Sequence, residues 1–205
     1  MAEYSEKFEK IKAIRDEILA LKESPIYSYR KENNFFPVIG EGSHNASIMF
    51  VGEAPGKNEA KTGRPFCGRS GDILDELLQS LPIKRESVYI TNIVKDRPPE
   101  NRDPTAEEIA VYGPFLDRQI DIIRPKIIAT LGRYPMCYIM EKFGLKNALR
   151  PISEMHGKSF PAKTNYGEIT IVPLYHPAVA IYNNKTKQTL FEDFKILKND
   201  FNSQN

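Results

Sequence analysis

The sequence predicts an α/β protein: a three-layer α/β/α sandwich around a central four-stranded parallel sheet. Short continuous apolar runs, typical of strands buried on both faces, alternate along the chain with segments whose apolar residues have helical spacing. This alternation favours parallel strands joined by right-handed crossovers. The length of 205 residues and the hydrophobic share of 40% fit one domain, residues 1–205, with an N-terminal helix over residues 1–24 packed on it.

The four predicted strands are short and rich in apolar and β-branched residues. Loops that contain glycine, proline or asparagine follow them, and these residue types end strands. The strands are predicted at residues 47–51, 88–93, 126–131 and 169–174.

The predicted helices lie before, between and after these strands. Pro25 ends the first, because proline cannot continue the helical hydrogen-bond ladder. Ser70 is the predicted N-cap of the second, and Thr105 with Glu108 forms a capping box for the third. The helices are predicted at residues 4–22, 70–81, 105–123, 134–143 and 189–201, with irregular chain at residues 24–45 and 155–165.

Composition excludes several classes of protein. No apolar run approaches the roughly 20 residues of a membrane span, and the first 22 residues lack the apolar centre of a signal peptide. We therefore expect an intracellular, cytoplasmic protein with no membrane partner. Cys67 and Cys137 make neither a disulfide framework nor a four-thiolate metal set.

The formal net charge of +2 is too small to indicate nucleic-acid binding by itself. Basic residues nevertheless gather in the loops that follow three of the strands, where they would suit phosphate contacts. Without further motifs, ordinary solvated charge would be the default explanation for them. These residues are Lys57, Lys61, Arg64, Arg69, Lys95, Arg97, Arg102, Lys185 and Lys187.

Three segments that look like parts of one active site follow predicted strands. Gly52 opens the glycine- and proline-rich run GEAPG, Asn92 lies at the end of YITN, and His176 opens HPAVA. In an open parallel sheet, ligands bind beyond the carboxyl ends of the strands. The three segments are therefore predicted to meet at one edge of the sheet.

Together these segments resemble the uracil-DNA glycosylase superfamily, and its family-four branch most closely. The first segment, from Gly52 to Gly71, is close to the family pattern GEAPGxxEDxxGRPFVGxAG, with Ala60, Cys67 and Ser70 as its departures. The run YITNIVK resembles the family's YICNVVK, and HPAVA resembles HPAAxL.

The resemblance implies a base-flipping enzyme that removes uracil from DNA and leaves an abasic site. Phe66 matches the ring on which the flipped base stacks, and Asn92 matches the amide that reads the base through one acceptor and one donor. His176 matches a neutral imidazole that donates to the base O2 as negative charge develops there. Glu53 is predicted to orient the attacking water and stabilise the sugar cation, and Gly52 belongs to the base site.

The resemblance also implies a DNA-binding surface around this site. Arg64, Lys95 and Arg97 are predicted to contact phosphates. Residues 178–182 are predicted to press into the minor groove as a shallow wedge, with contacts from Pro177, Ala178, Val179 and Ala180. DNA, single- or double-stranded, is the predicted partner, and we expect a monomer.

The chain departs from the family where an iron–sulfur cluster would be held. Family-four members use four cysteines, but here Asp96 and Tyr112 stand at two of those positions and residues 21–30 contain none. Two cysteines elsewhere cannot supply four thiolates. We predict a protein without this cluster or any other cofactor, in which Asp96, Tyr112 and residues near 24–30 replace it through hydrogen bonds or packing.

Two other functions stay open at this point. Gly56 stands where some superfamily members place a tyrosine against uracil C5, so a 5-modified pyrimidine, for example in viral DNA, is a second candidate substrate. The third candidate is a catalytically silent DNA-binding module. The presence of Glu53, Phe66, Asn92 and His176 argues against it.

Overall fold

The computed structural model describes residues 2–181 and 183–203, with side chains at residues 5–181 and 183–198. The helices are α1 (Ala2–Ala20), α2 (Tyr27–Glu32), α3 (Lys57–Thr62), α4 (Arg69–Gln79), α5 (Ala106–Ile123), α6 (Arg133–Lys142), α7 (Ile152–Met155) and α8 (Asn184–Ser203). The strands are β1 (Glu41–Gly42), β2 (Ile48–Gly52), β3 (Tyr89–Asn92), β4 (Ile127–Leu131), β5 (Phe160–Thr164) and β6 (Gly167–Leu174). Short 3-10 helices include Pro99–Asn101 and Pro177–Ala180.

The strands form one mixed sheet in the order β1-β3-β2-β4-β6-β5. Its four central strands, β3, β2, β4 and β6, are parallel, and they confirm the four predicted strands. The antiparallel edge strands β1 and β5 were not predicted. β1 has only two residues, and β5 is mostly unburied, so neither has the apolar run that marks a central strand.

Successive residues of the buried strands pack into two different core layers. Met49 and Val51 of β2 face the layer that contains α1, α5 and α6, whereas Phe50 faces the layer that contains α4 and α8. This follows from the alternation of side chains along a strand. Because both faces are covered, every residue of β2 is buried, and the predicted three-layer arrangement is confirmed.

Four of the five predicted helices have boundaries close to those observed, but α8 begins at Asn184, five residues before its predicted start, and α2, α3 and α7 were not predicted. Thr105 and Glu108 form the predicted capping box of α5. The N-cap of α4, however, is Gly68 and not Ser70. The carboxylate of Glu59 accepts hydrogen bonds from the backbone amides of Cys67 and Gly68, both at 3.0 Å, so a distant side chain binds the chain where the helix begins.

The N-terminal helix α1 packs against α5 through a stripe of buried isoleucines, Ile11, Ile14 and Ile18. Over the described residues, none of the helices combines the length and hydrophobicity that crossing a bilayer requires.

Candidate active site at the carboxyl edge of the sheet

The three motif segments meet at the carboxyl edge of the parallel strands, as the sequence predicts. There they line a cavity of about 380 Å³. The loop after β2, the end of β3 and the loop after β6 all contribute residues to its lining. The lining residues are Glu53, Ala54, Pro55, Gly56, Glu59, Phe66, Ser70, Asn92, Pro98, Asn101, Arg102, His176 and Ala178.

The absence of a side chain on Gly52 leaves room for the amide of Asn92 and the ring of Phe66. It pairs with Asn92 in the parallel register of β2 and β3. A Cβ atom on Gly52 would lie 2.2 Å from Oδ1 of Asn92 and 2.8 Å from Cε2 of Phe66. Neither neighbour leaves room for a side chain here, so glycine is required by close packing and not by its backbone conformation.

Phe66 is held in a left-handed conformation, with φ of 48°. Arg85 donates to the carbonyl of Phe66 at 3.2 Å and to that of Pro65 at 2.8 Å. A Cβ atom on Gly71 would lie 1.9 Å from the carbonyl oxygen of Phe66, so Gly71 must also lack a side chain. These contacts fix the ring in place, 7% exposed and with its centroid 5.6 Å from that of the His176 ring.

His176 precedes the 3-10 helix Pro177–Ala180, and its Nδ1 accepts a hydrogen bond of 3.1 Å from the amide of Ala178. Burial lowers the pKa of His176 to about 4, and the nearby charge of Glu59 opposes this only in part. The imidazole is therefore neutral at physiological pH. Since Nδ1 is the acceptor, the proton lies on Nε2, which is a hydrogen-bond donor.

Glu53 follows β2 directly and is half-buried in the cavity wall. Burial, followed by the negative charge of Asp103, raises the pKa of Glu53 to about 7, although the positive charge of Arg133 opposes both effects. Asp103 is held by a hydrogen bond of 2.9 Å from the hydroxyl of Tyr134. The carboxyl of Glu53 therefore changes its charge near neutral pH, as suits a group that positions water or stabilises a cation.

Glu59 and the loop after β3 also line the cavity, although neither was predicted to do so. Glu59 anchors the Phe66 loop through the amides described above and also lines the cavity. The loop after β3 supplies Pro98, Asn101 and Arg102. Arg102 is bound by the buried carboxylate of Glu108 at 2.5 and 2.9 Å, a contact that the capping-box pattern does not reveal.

Lys95 was predicted to contact phosphate, and the structure contradicts this. The side chain is fully buried, and its ammonium is bound by Thr91, Gln119 and the backbone carbonyl of Asn92. A basic residue in a loop sequence was mistaken for a surface residue. Lys95 cannot reach the DNA backbone in this position.

The other predicted DNA contacts differ in exposure. Arg64 is exposed and forms a two-point ion pair with Glu41, whereas Arg97 is half-buried, donates to the hydroxyl of Tyr29 and stacks on Phe35. In the predicted wedge, Val179 is 42% exposed and Ala178 lines the cavity, but the side chains of Pro177 and Ala180 are buried. The predicted direct contacts of the Pro177 and Ala180 side chains with DNA are therefore contradicted, because both side chains are buried. Tyr182 lies outside the described residues.

A buried hydrogen-bond network stands where the resemblance places the iron–sulfur cluster. Ser24 donates to the hydroxyl of Tyr112 at 2.8 Å, and Tyr112 donates to the carboxylate of Asp96 at 2.6 Å. The guanidinium of Arg30 binds the same carboxylate at 2.9 Å. The expected hydrogen bonds among Asp96, Tyr112 and residues near 24–30 are thus present, and their replacement of a cluster stays a prediction.

These residues do not fit an iron–sulfur cluster. They offer hydroxyl, carboxylate and guanidinium groups where thiolates would be needed, and Arg30 brings a positive charge to the same place. Burial raises the pKa of Asp96, although the hydrogen bond from Tyr112 and the charge of Arg30 oppose this. Among the described residues, no group of three or more histidine, cysteine, aspartate or glutamate side chains is arranged to hold a metal ion.

The fold and the cavity define a class: an α/β protein that presents an aromatic ring, an amide, a neutral imidazole and a carboxyl to a ligand at the carboxyl edge of its sheet. The sequence model of the Uracil DNA glycosylase superfamily matches residues 39–197. The chain belongs to that superfamily.

Similar proteins from three archaea are each named Type-4 uracil-DNA glycosylase. The protein of Sulfurisphaera tokodaii is 46% identical over 92% of this chain and 83% of its own length. That of Saccharolobus solfataricus is 42% identical over 93% of this chain and 86% of its own. That of Archaeoglobus fulgidus is 40% identical over 82% of each chain. The predicted relation to the family-four branch is confirmed.

Proposed function

We propose that this protein is a uracil-DNA glycosylase, a hydrolase that cleaves the N-glycosidic bond of a flipped-out uracil and leaves an abasic site for base excision repair. The observation that carries the proposal is the convergence of Phe66, Asn92, His176 and Glu53 on one cavity of about 380 Å³. The names of the similar proteins point to the same activity.

Base recognition rests on Phe66 and Asn92. The ring of Phe66 offers a flat, largely buried platform for a flipped base. The amide of Asn92 accepts from N3–H of uracil and donates to O4, and cytosine presents the opposite pattern at those two positions. Because Gly52 packs against both this amide and the ring of Phe66, the position of the amide relative to the platform is restricted.

Bond cleavage rests on His176 and Glu53. As the bond between C1′ and N1 breaks, its electron pair moves to the base, and the Nε2–H of His176 donates to O2 of the forming anion. The sugar becomes cationic, and the ionised carboxylate of Glu53 stabilises it and orients the water that attacks C1′. The proton that this water loses neutralises the charge of the departed base anion. No metal or organic cofactor takes part in this scheme.

DNA is the proposed macromolecular partner, bound by a monomer inside the cell. Arg64 and Arg97 are the proposed phosphate contacts, and salt would weaken such electrostatic contacts. Ala178 and Val179 are the proposed contacts of the wedge with the gap that the flipped base leaves.

The test is cleavage of labelled single- and double-stranded oligonucleotides that contain one uracil, followed by alkaline treatment and gel analysis. We expect cleavage at the uracil with wild-type protein and almost none with His176→Ala. A folded wild-type protein that binds these oligonucleotides without cleaving them would overturn the proposal and favour a silent DNA-binding module.

A 5-modified pyrimidine is a second candidate substrate, favoured by the absence of a side chain on Gly56 in the cavity wall. A Cβ atom there would meet only the end of the Glu59 side chain, at 2.7 Å from Oε2. Comparison of uracil, thymine and 5-hydroxymethyluracil in the same oligonucleotide tests this. If a 5-substituted base is excised faster than uracil, that base replaces uracil as the proposed substrate.

A further inference from the structure

Lys95 is a fully buried lysine directly behind the base-reading end of β3. Its Nζ donates to the backbone carbonyl of Asn92 at 2.6 Å, to Oγ1 of Thr91 at 2.8 Å and to Oε1 of Gln119 at 2.5 Å. Two of these three partners are the last two residues of β3.

The hydrogen bonds around Lys95 are mutually consistent. Thr91 gives its hydroxyl proton to the carbonyl of Ile39 at 2.7 Å, so its oxygen is free to accept from Lys95. The Nε2 of Gln119 donates to the same carbonyl at 2.8 Å and to the hydroxyl of Tyr89 at 3.2 Å, which leaves its Oε1 as an acceptor.

Three acceptors thus surround Nζ, and this number matches the three N–H groups of an ammonium. Burial lowers the pKa of Lys95, whereas the three acceptors favour the protonated form. An apolar side chain of similar volume would avoid the desolvation of a charge altogether. The directed bonds of this lysine, and not its bulk, therefore distinguish it from an ordinary core residue.

The hydrogen bonds of Lys95 hold the last two residues of β3, where pairing with β1 has ended. β1 pairs with β3 only at Tyr89 and Ile90, two residues short of Asn92. On the other side, the amide of Ile93 donates to the carbonyl of Gly52 at 3.0 Å and continues the link to β2. Lys95 and Gln119 connect the end of β3 to Ile39, the residue two positions before β1.

We propose that Lys95 is a positioning residue for base recognition, which holds the end of β3 through the Asn92 carbonyl and so keeps the Asn92 amide at one place in the cavity. This inference rests on the proposed function, since it assigns base reading to Asn92. Displacement of a recognition group by about 1 Å can cost up to about 10²-fold in rate.

The first test compares Lys95→Met, which keeps a long chain but has no N–H, with Tyr112→Phe, which removes a hydroxyl from the buried network around Asp96. We expect Lys95→Met to lower kcat on uracil DNA about 10- to 100-fold and to reduce the preference for uracil over cytosine. We expect Tyr112→Phe to lose thermal stability with both quantities unchanged. Equal loss of stability in the two variants, with wild-type kcat and base preference in both, would overturn the proposal.

A second test does not depend on activity or on the tolerance of the fold for methionine. Thr91→Val keeps the shape of the threonine and removes one acceptor. In NMR spectra with the Asn92 side-chain amide assigned, we expect one sharp pair of resonances in wild type, and broadened or shifted resonances in Thr91→Val and Lys95→Met. Unchanged resonances in both variants would show that Lys95 does not position Asn92, whereas a wild-type protein inactive on uracil would refute only the proposed function.

Discussion

The hydroxyl of Tyr112 donates a hydrogen bond of 2.6 Å to the carboxylate of Asp96, and the guanidinium of Arg30 binds the same carboxylate from another element. Asp96 therefore ties helix α5 and helix α2 to the loop after β3. The side chains of Arg30 and Asp96 are 3% and 0% exposed, so the pair is shielded from water and salt.

Replacement of Asp96 by alanine should strongly destabilise the fold, because it leaves the charge of Arg30 buried without its partner. We expect Asp96→Ala to lower the free energy of unfolding by about 3–5 kcal/mol. Tyr112→Phe removes one hydrogen bond and should cost about 1 kcal/mol. Asp16→Ala is the matched control, since its ion pair with Arg15 is exposed and should contribute at most about 1 kcal/mol. Denaturant unfolding measures all three, and equal losses in Asp96→Ala and Asp16→Ala would contradict this account.

The same network predicts the iron content of the protein. Because Ser24, Arg30, Asp96 and Tyr112 offer no thiolate, we expect purified protein to contain no stoichiometric iron and to lack cluster absorbance in the visible range. Metal analysis of protein purified without oxygen measures this directly. Iron near four atoms per chain would show that the chain binds a cluster by residues other than these.

The activity should depend on pH through Glu53. Its pKa lies at about 7, so the carboxylate is present above neutral pH and lost below it. We expect the single-turnover rate to rise tenfold per pH unit below about 7 and to level off above it. Glu53→Gln should be slow and independent of pH over the same range. A wild-type rate that is constant between pH 5 and 9 would show that Glu53 takes no part in the reaction.

Stability should change with pH in the opposite sense. The folded pKa of Glu53 is raised from its ordinary value of 4.5, so the folded state binds more protons than the unfolded state between about pH 4.5 and 7. This group therefore makes the protein less stable as pH rises through that window. Glu53→Gln should melt higher than wild type at pH 8 and close to wild type at pH 4, as measured by calorimetry. A lower melting temperature of the variant at pH 8 would contradict the raised pKa.

His176→Ala should slow cleavage by about 10²–10³-fold, the usual effect of removing one donor to a developing anion. The pKa of His176 is lowered to about 4, so its protonation should not affect the rate above about pH 5. His156→Ala is a suitable control, because His156 pairs with Asp193 at 2.7 Å. Similar rates for the two variants in a single-turnover assay would exclude the proposed role of His176.

The strand pattern was predictable, because a strand buried on both faces must be apolar at every position, as Phe50 and its neighbours in β2 are. The convergence of Phe66, Asn92 and His176 followed from the resemblance together with parallel topology. The edge strands have no such constraint, since one side of each is open. The burial of Lys95 was not predictable from local sequence, because its three acceptors come from β3 and from a distant helix.

Asn92→Asp tests base reading most directly. A carboxylate at this position accepts from the amino group of cytosine but cannot donate to O4 of uracil. We expect uracil excision to fall about 10- to 100-fold, as for a mismatch of about 1–3 kcal/mol in hydrogen-bonded base reading. Cytosine excision should rise above that of wild type. Asn101→Asp is the matched control, because Asn101 also lines the cavity but its Oδ1 accepts from Arg97. If the two variants keep the wild-type ratio of uracil to cytosine excision, another group reads the base.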